Sequence, residues 1–500
     1  MAGTPATAFV QPVPARWHAV ASPRASTSGS LRGFGCAPRS ALRAVPAKWL
    51  AAGGAVAATS VAVARHQRRH RKKGLQLPFE PSLPQVIRVL RRVDPALGNL
   101  AQTVSEVWGL LQTELVEMRG GDEETVQRTG ALLVHLFALG RLKAQQGSGF
   151  QLPQAEVPLV SDLARLSEAQ RLVRFAVASY GANLLALVGL LQFRDAWPPA
   201  GPGRDGAAAA RFLKLPSERF LARGKKTPRK HHRSGAAFRP WWVLFQDDND
   251  LVLSIRGSAN MDDIATDLAC ANCEFLHGHA HEGMAGAVTA VWDEAGPAVT
   301  KALESGPYKR FIVCGHSLGG SVSLLLGMKL RAEALLPVEV RAFAAGPPPA
   351  FQGPKQPGLE SGLISVINRF DPVPHLSLDA ALRMVLAAER LAEAGMSWSQ
   401  TLGILVGGEV DDPKFEDLIA KIPQQRASLR IPGEAIWLVD ACAGRLILPI
   451  DLSGRLDEFC RELPEITVAQ SALDHVMSTY VYNMDKAADR LKLEAGKLEA

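Results

Sequence analysis

The stretch Phe311-Ile-Val-Cys-Gly-His-Ser-Leu-Gly-Gly320 decides the fold that we predict for this chain. Its first four residues are apolar and have strand character, and residues 321–330 have the composition of a buried helix. The motif G-x-S-x-G between them places Ser317 on a sharp strand-to-helix turn, which exposes a serine hydroxyl above a sheet. Small glycines let the strand and helix approach without a Cβ clash. We predict that Ser317 is a nucleophile; a structural glycine-rich turn is the alternative.

Strands and helices alternate around this motif. Asp247-Asp-Asn-Asp250 separates two β-rich runs and predicts a hairpin. A helix is predicted over residues 284–303, and further strands over 338–345 and 363–368. This alternation favours a mostly parallel sheet covered by helices. With the serine motif on a strand-to-helix turn, the predicted fold is an α/β-hydrolase fold. Active sites of such sheets lie at the carboxyl ends of the strands.

A serine nucleophile needs a base and a carboxylate, which follow it in that fold in the order acid, then histidine. Only His375 and His475 follow the motif. His475 lies near the C-terminus and is the predicted base, while a surface histidine paired with Asp474 is the alternative. Asp371 follows a predicted strand in a proline-stiffened loop and is the predicted acid. Three other carboxylates remain rivals: Asp411, Asp440 and Asp451.

An oxyanion hole needs two donors. The backbone N–H of Leu318 follows the nucleophile and supplies one. After the strand predicted over residues 251–256 and the following Gly257, Ser258 offers both an N–H and a hydroxyl as the other. Cys270 and Cys273 form a single C-x-x-C pair, which is weak evidence for zinc, so incidental cysteines or a redox-sensitive segment are the alternatives. No metal or organic cofactor is expected.

An ordered set of motifs resembles one known family. The set comprises Ile255-Arg-Gly-Ser258, Asp262-x-x-x-x-Asp267-Leu268, His281-Glu-Gly-Met284, the Ser317 motif, Asp371-Pro-Val-Pro374 and Asp474-His475. Over about residues 170 to 485 it resembles the class 3 (fungal-type) lipases, and among them the diacylglycerol lipases. The resemblance implies Ser317, Asp371 and His475 as the triad, Ser258 with Leu318 as the oxyanion hole, and a lid within residues 259–280. Two departures are Ser258, where the family usually has Thr, and Ile255, where an aromatic is frequent.

The charge of the chain is unevenly distributed. Residues 1–79 contain twelve Lys and Arg and no acid, so the remainder carries 44 basic and 49 acidic residues, a net of −5. A nucleic-acid partner therefore does not follow from the overall charge of +7. Residues 1–48 have the composition of an organelle transit peptide, more typical of plastids, or of a disordered basic tail. Residues 49–64 are apolar and are either a short membrane anchor or part of the targeting segment.

We divide the chain into a basic targeting or anchor segment (1–79), a helical region (80–196), a basic linker (197–239), an α/β-hydrolase lipase domain (240–485) and a C-terminal tail (486–500). Within the helical region, Ser167-x-x-Gln170 predicts a capping box before a helix over 171–180.

Together these features predict a serine hydrolase that cleaves acyl esters of glycerolipids at a membrane surface. A phospholipase or galactolipase is one alternative, and a catalytically silent membrane-associated scaffold is another. The expected location is membrane-associated in a plastid, or the cytoplasmic face of another membrane.

Overall fold

The computed structural model describes residues 159–192, 204–224, 240–257, 272–377, 429–440, 446–461 and 473–498. Several sequence predictions lie outside the described residues: the 1–79 segment with its apolar stretch 49–64, most of the 80–196 region, Ser258, Cys270 and Asp411. Among the described helices, none is both long enough and apolar enough to cross a membrane.

The described helices are α1 Leu163–Ala178, α2 Gly181–Leu187, α3 Arg204–Leu213, α4 Glu282–Ser305, α5 Leu318–Ala332, α6 Pro357–Glu360, α7 Leu456–Arg461 and α8 Met477–Leu498, with 3-10 turns at Ser217–Arg219 and Val373–His375. The described strands are β1 Phe220–Arg223, β2 Trp242–Asp247, β3 Asp250–Ile255, β4 Asn272–Phe275, β5 Gly278–His281, β6 Arg310–His316, β7 Glu339–Ala345, β8 Phe351–Gln352, β9 Leu363–Asn368, β10 Glu434–Asp440 and β11 Ile447–Asp451.

The central sheet confirms the predicted fold class. Its eight strands lie in the order β1-β2-β3-β6-β7-β9-β10-β11. The pairs from β3 to β10 are parallel, while β1-β2, β2-β3 and β10-β11 are antiparallel. The carboxyl ends of β3, β6 and β9 therefore meet at one edge of the sheet, where a site can be assembled from distant parts of the chain.

Both faces of the sheet are buried. Successive side chains of β6 point to opposite faces and therefore belong to two different cores. Phe311 and Val313 pack with α4 and α5 on one face. Ile312 and Cys314 pack with α1 and α8 on the other face. The segment N-terminal to residue 240 thus contributes, through α1, to the core beneath the sheet.

Helix α1 begins earlier than its predicted capping box. The side chain of Asp162 accepts hydrogen bonds from the N–H groups of Ala164 and Arg165, so Asp162 is the N-cap. Ser167 and Gln170 lie inside the helix, and the Gln170 amide donates to Asp485 instead. The predicted capping box is wrong because an Asp with the right backbone conformation precedes it.

Three segments contain regular structure where the sequence indicated a linker, a lid or a tail. One is the predicted C-terminal tail 486–500, because helix α8 continues through it to Leu498. Helix α3 and strand β1 lie within residues 197–239; the alanine run is a good helix former, although flanking prolines and glycines indicated a linker. The last part of residues 259–280 forms the hairpin β4-β5, which pairs with β8 in a three-stranded sheet.

Candidate active site

Ser317 lies on the turn between β6 and α5, as the motif predicts. Its backbone has φ 59° and ψ −134°, a left-handed conformation that a non-glycine residue rarely adopts. The turn is held by two hydrogen bonds: Ser317 N–H donates to the Ala345 carbonyl over 2.9 Å, and Gly320 N–H donates to the Ser317 carbonyl over 2.8 Å. The surrounding structure therefore imposes the unusual conformation on the serine.

The glycines of the motif are required by close backbone approach. A Cβ at Gly315 would lie 2.3 Å from the carbonyl oxygen of Gly319. A Cβ at Gly319 would lie 2.4 Å from the carbonyl oxygen of Ile255 at the end of β3. Because both obstacles are backbone atoms, neither could move aside as a flexible side chain could. The spacing G-x-S-x-G is thus a packing requirement of the turn.

The structure brings Ser317, His475 and Asp371 together in one buried chain of hydrogen bonds. Ser317 Oγ lies 3.0 Å from His475 Nε2, and His475 Nδ1 lies 2.8 Å from Asp371 Oδ2. A carboxylate can only accept, so Nδ1 carries the proton and Nε2 is free to accept from the serine hydroxyl. The three residues are 1%, 6% and 0% exposed, respectively. This geometry is that of a nucleophile, its base and an orienting carboxylate.

The Asp371 carboxylate is fixed by further donors. Its Oδ1 accepts from the Val373 N–H over 2.9 Å, and its Oδ2 accepts from the Tyr480 hydroxyl. Burial raises the pKa of Tyr480 well above its usual value, and the neighbouring Asp371 charge raises it further. Tyr480 therefore stays protonated and donates. Its oxygen also accepts from the Asn368 N–H over 3.1 Å, which ties helix α8 to the end of β9.

His475 is held in place through its main chain. The backbone carbonyl of His475 lies 3.0 Å from His316 Nε2, and the carbonyl of Asp474 accepts from the Asn368 amide over 2.7 Å. Asp474 is 1% exposed, and its carboxylate contacts Arg369 and the Phe370 N–H. The partner of the His475 ring is thus Asp371, and Asp474 joins the two loops that carry these residues.

The rival residues within the described chain are engaged elsewhere. Asp440 forms an ion pair with Arg369 at 3.0 Å, and Asp451 pairs with Arg165 at 2.8 Å. The His375 ring packs on Phe459, with 4.6 Å between the ring centroids.

The predicted oxyanion donors are only partly described. Leu318 is the buried first residue of α5, and an N–H at that position has no partner within its helix. The positive end of the helix dipole lies at the same position. Ser258, the other predicted donor, directly follows the described Gly257 but lies outside the described residues. The described residues contain no group of three or more His, Cys, Asp or Glu that could hold a metal ion.

A parallel sheet with a strained serine turn at a strand end defines an α/β-hydrolase. Residues 252–380 match the family described as Lipase (class 3), which confirms the predicted resemblance to class 3 lipases over that stretch and supports an acyl-ester hydrolase. The predicted closeness to diacylglycerol lipases stays a prediction. No curated protein shows significant sequence similarity to the chain.

Lipases are among the solved structures with a similar chain path. One is a lipase from Rhizopus microsporus var. chinensis, with 16% identity over 65% of this chain and 90% of that chain, at a TM-score of 0.41. Another is lipase II from Rhizopus niveus, with 17% identity over 64% of this chain and 96% of that chain, at a TM-score of 0.38. The α/β-hydrolase fold follows from the strand order of the central sheet and from the serine turn.

Sequence reasoning missed the residues that support the triad. Tyr480, His316 and Asn368 each lie within five residues of a predicted triad member, but the contacts that matter reach a different part of the chain: Tyr480 contacts Asp371, His316 contacts the His475 carbonyl, and the Asn368 N–H contacts Tyr480. One signal was available for Tyr480, which lies five residues after the predicted base and so within its vicinity.

Proposed function

We propose that this chain is a serine hydrolase that cleaves acyl-ester bonds of glycerolipids at a membrane surface. The observation that carries the proposal is the buried chain Ser317–His475–Asp371, with 3.0 Å and 2.8 Å between its hydrogen-bonding atoms. The match to class 3 lipases supports an acyl ester as the bond attacked.

The reaction follows from the positions of the protons. Ser317 Oγ attacks the ester carbonyl carbon while its proton passes to His475 Nε2. Asp371 stabilises the resulting imidazolium through Nδ1–H. The oxyanion is bound by the N–H of Leu318 and, as the sequence predicts, by Ser258. His475 then protonates the leaving alcohol, and a water deprotonated by His475 hydrolyses the acyl-enzyme to release the fatty acid.

The aromatic and aliphatic side chains beside the site fit a lipid surface. Phe370 directly precedes the acid, Leu473 lies two residues before the base, and both are more than two-fifths exposed, at 44% and 43%. Apolar side chains in such positions can contact an aggregated lipid without disturbing the buried triad. We place the protein at a membrane, with a plastid as the proposed location on the composition of residues 1–48.

The first test is covalent labelling of the full chain with a fluorophosphonate, followed by peptide mapping. We expect a single modified residue, Ser317, and no label on the Ser317→Ala variant. A wild-type chain that is folded yet resists the probe would contradict the proposal and favour the silent scaffold.

The second test is hydrolysis of a lipid panel. Triacylglycerol, diacylglycerol, phosphatidylcholine and monogalactosyldiacylglycerol would be presented as vesicles or emulsions, with fatty acid release as the readout. Preference for the first two supports the proposed class, whereas preference for either of the others would favour the phospholipase or galactolipase alternative. With a short-chain ester, the rate should rise disproportionately above its critical micelle concentration, and a smooth hyperbola would argue against surface action.

A further inference from the structure

Tyr180 lies beneath the catalytic serine, although it is far from the site in sequence. It lies two residues after the end of α1 and directly before α2, and it is 4% exposed. Its hydroxyl oxygen lies 2.9 Å from His316 Nδ1, and His316 immediately precedes Ser317. The same hydroxyl is hydrogen-bonded by the backbone of Gly257, the residue before the predicted oxyanion donor Ser258. A Cβ at Gly257 would lie only 2.7 Å from that oxygen, so the contact is a close one.

The donors and acceptors along this path have only one consistent assignment. The His475 carbonyl can only accept, so His316 Nε2 carries a proton and donates to it. Burial, and repulsion from the neighbouring His475 when that ring is protonated, lower the pKa of His316 well below 6.5, so its ring is neutral. A neutral ring has one N–H, which makes Nδ1 an acceptor. The Tyr180 hydroxyl therefore donates to Nδ1, and burial raises the pKa of Tyr180 so that it keeps that proton.

The consequence is a buried connection between three separate parts of the site. The Tyr180 oxygen accepts from the Gly257 N–H, two residues after β3, and donates to His316 on the serine turn. His316 then donates to the main chain of the base. The rings also pack: the centroids of His316 and His475 are 4.7 Å apart, and those of His316 and Tyr180 are 5.6 Å apart.

We propose that Tyr180 is a positioning residue of the active site, which holds His316 in its Nε2–H tautomer and thereby sets the place of His475 relative to Ser317. The proposal rests on the proposed hydrolase function, and it adds to the active site a residue that lies N-terminal to residues 252–380, where the family match lies. Other groups near Tyr180 and His316 are the Arg256 guanidinium, 5.6 Å from the Tyr180 ring centroid, and the Tyr480 ring.

The decisive variant is Tyr180→Phe, which removes one oxygen and keeps the ring. His316 Nδ1 then lacks its donor, so the ring can exchange tautomers and lose its bond to the His475 carbonyl. A displacement of the base by about 1 Å can cost about 100-fold in rate. We expect kcat per folded molecule to fall about 10- to 100-fold with KM nearly unchanged. Tyr308→Phe is the matched control, since Tyr308 lies before β6, at the opposite end of the strand from Ser317, and we expect wild-type kinetics there.

A merely structural role would lower thermal stability without changing kcat per folded molecule, and that result would overturn the proposal. The second readout does not depend on activity. Histidine ring ¹⁵N shifts of the labelled full chain should show a neutral Nε2–H tautomer for His316 in the wild type and a changed tautomer in Tyr180→Phe. An unchanged tautomer in the variant would also overturn the proposal. This result does not depend on the outcome of the lipid panel, so failure of the proposed function and failure of the role of Tyr180 can be told apart.

If Tyr180→Phe does not fold, His316→Gln supplies the test. The glutamine amide can still donate to the His475 carbonyl, so we expect kcat within about tenfold of the wild type, whereas His316→Leu should lose about 100-fold. Equal kcat values for His316→Gln and His316→Leu would overturn the proposal, because the donor would then be without effect.

Discussion

The hydroxyl of Tyr480 donates a hydrogen bond to Oδ2 of Asp371, the same oxygen that lies 2.8 Å from His475 Nδ1. One carboxylate oxygen thus receives two donors, from a tyrosine on α8 and from the proposed base. The tyrosine restricts rotation of the carboxylate, so the base is oriented by a group that cannot itself move freely. This relationship makes α8 part of the site even though none of its side chains is proposed to touch the substrate.

Tyr480→Phe should therefore weaken catalysis and stability together. It removes one donor to Asp371 and leaves the buried Asn368 N–H without its acceptor, at a cost of about 1–3 kcal/mol in the free energy of unfolding. We expect kcat to fall about tenfold, measured on protein shown to be folded at the assay temperature. Tyr482→Phe is the control, because Tyr482 is 56% exposed on the same helix. Equal kinetics for the two variants would contradict the role of the hydroxyl.

Asp371→Asn should abolish most activity while leaving the fold intact. The amide can donate to the imidazole, which favours the wrong tautomer and no longer stabilises the imidazolium. The comparable change in a serine protease costs about 10⁴ in kcat. We expect a loss of that order with little change in KM, measured by fatty acid release.

The controls for this prediction are the two rival carboxylates that the structure describes. Asp440→Asn and Asp451→Asn should stay near the wild-type rate, since those side chains pair with Arg369 and Arg165. Collapse of either control while Asp371→Asn remained active would show that the acid is wrongly assigned. Asp411 is the third rival carboxylate, and it lies outside the described residues. Asp411→Asn should therefore be measured in the same series, to test whether Asp411 is the acid.

His316 should make stability depend on pH below its ordinary pKa. The folded state holds the ring neutral, with a pKa well below 6.5, whereas the unfolded chain binds a proton there. The unfolded state therefore binds more protons as the pH falls below 6.5, and the free energy of unfolding decreases. The largest slope from one such group is about 1.4 kcal/mol per pH unit.

Chemical denaturation of the wild type and His316→Gln between pH 7.5 and about 5 would isolate this contribution. Most other titrating groups are common to both proteins, so they cancel in the difference. We expect the stability advantage of the wild type to shrink as the pH falls from 6.5, because only the wild type has this ring to protonate. Parallel curves would mean that His316 is not held neutral in the folded state.

The sequence predicted those parts of the molecule that depend on local pattern or on the order of the fold. The serine turn and its flanking strand and helix follow from glycine spacing and apolar runs, and β9 has the predicted bounds, Leu363–Asn368. Asp371 and His475 followed from their order after Ser317. Tyr180 and Tyr480 could not be predicted, because their roles arise from contacts made 136 and 109 residues away along the chain.

Some strands were also missed, for physical reasons. The hairpin β4-β5 contains the four-residue run Gly278-His-Ala-His281, which is short and has none of the β-branched or aromatic residues that indicate a strand. It is stabilised by pairing with β8, whose two residues are too few to give any sequence signal. Such edges depend on tertiary contacts more than on propensity.

Gly346 provides a final prediction, which separates the role of the acid from that of its surroundings. It follows β7 with φ +56°, a conformation that residues with a Cβ rarely adopt. A Cβ there would lie 2.6 Å from Asp371 Oδ2 and 2.6 Å from the Tyr480 hydroxyl oxygen. Both contacts are too short to persist, so Gly346→Ala must displace the carboxylate, the tyrosine or the β7 end while leaving all three triad residues chemically intact.

We expect Gly346→Ala to lose about 100-fold or more in kcat, since a shift of about 1 Å in a catalytic group can have that effect. Backbone strain should also lower the free energy of unfolding by about 1–3 kcal/mol. The matched control is Gly358→Ala, because a Cβ at Gly358 would meet nothing within 4 Å. Steady-state kinetics of both variants would measure the loss of kcat, and chemical denaturation would measure the change in the free energy of unfolding. If Gly346→Ala were as active as Gly358→Ala, the position of the Asp371 carboxylate would not control the rate, and the hydrogen bond from Tyr480 could not act through it.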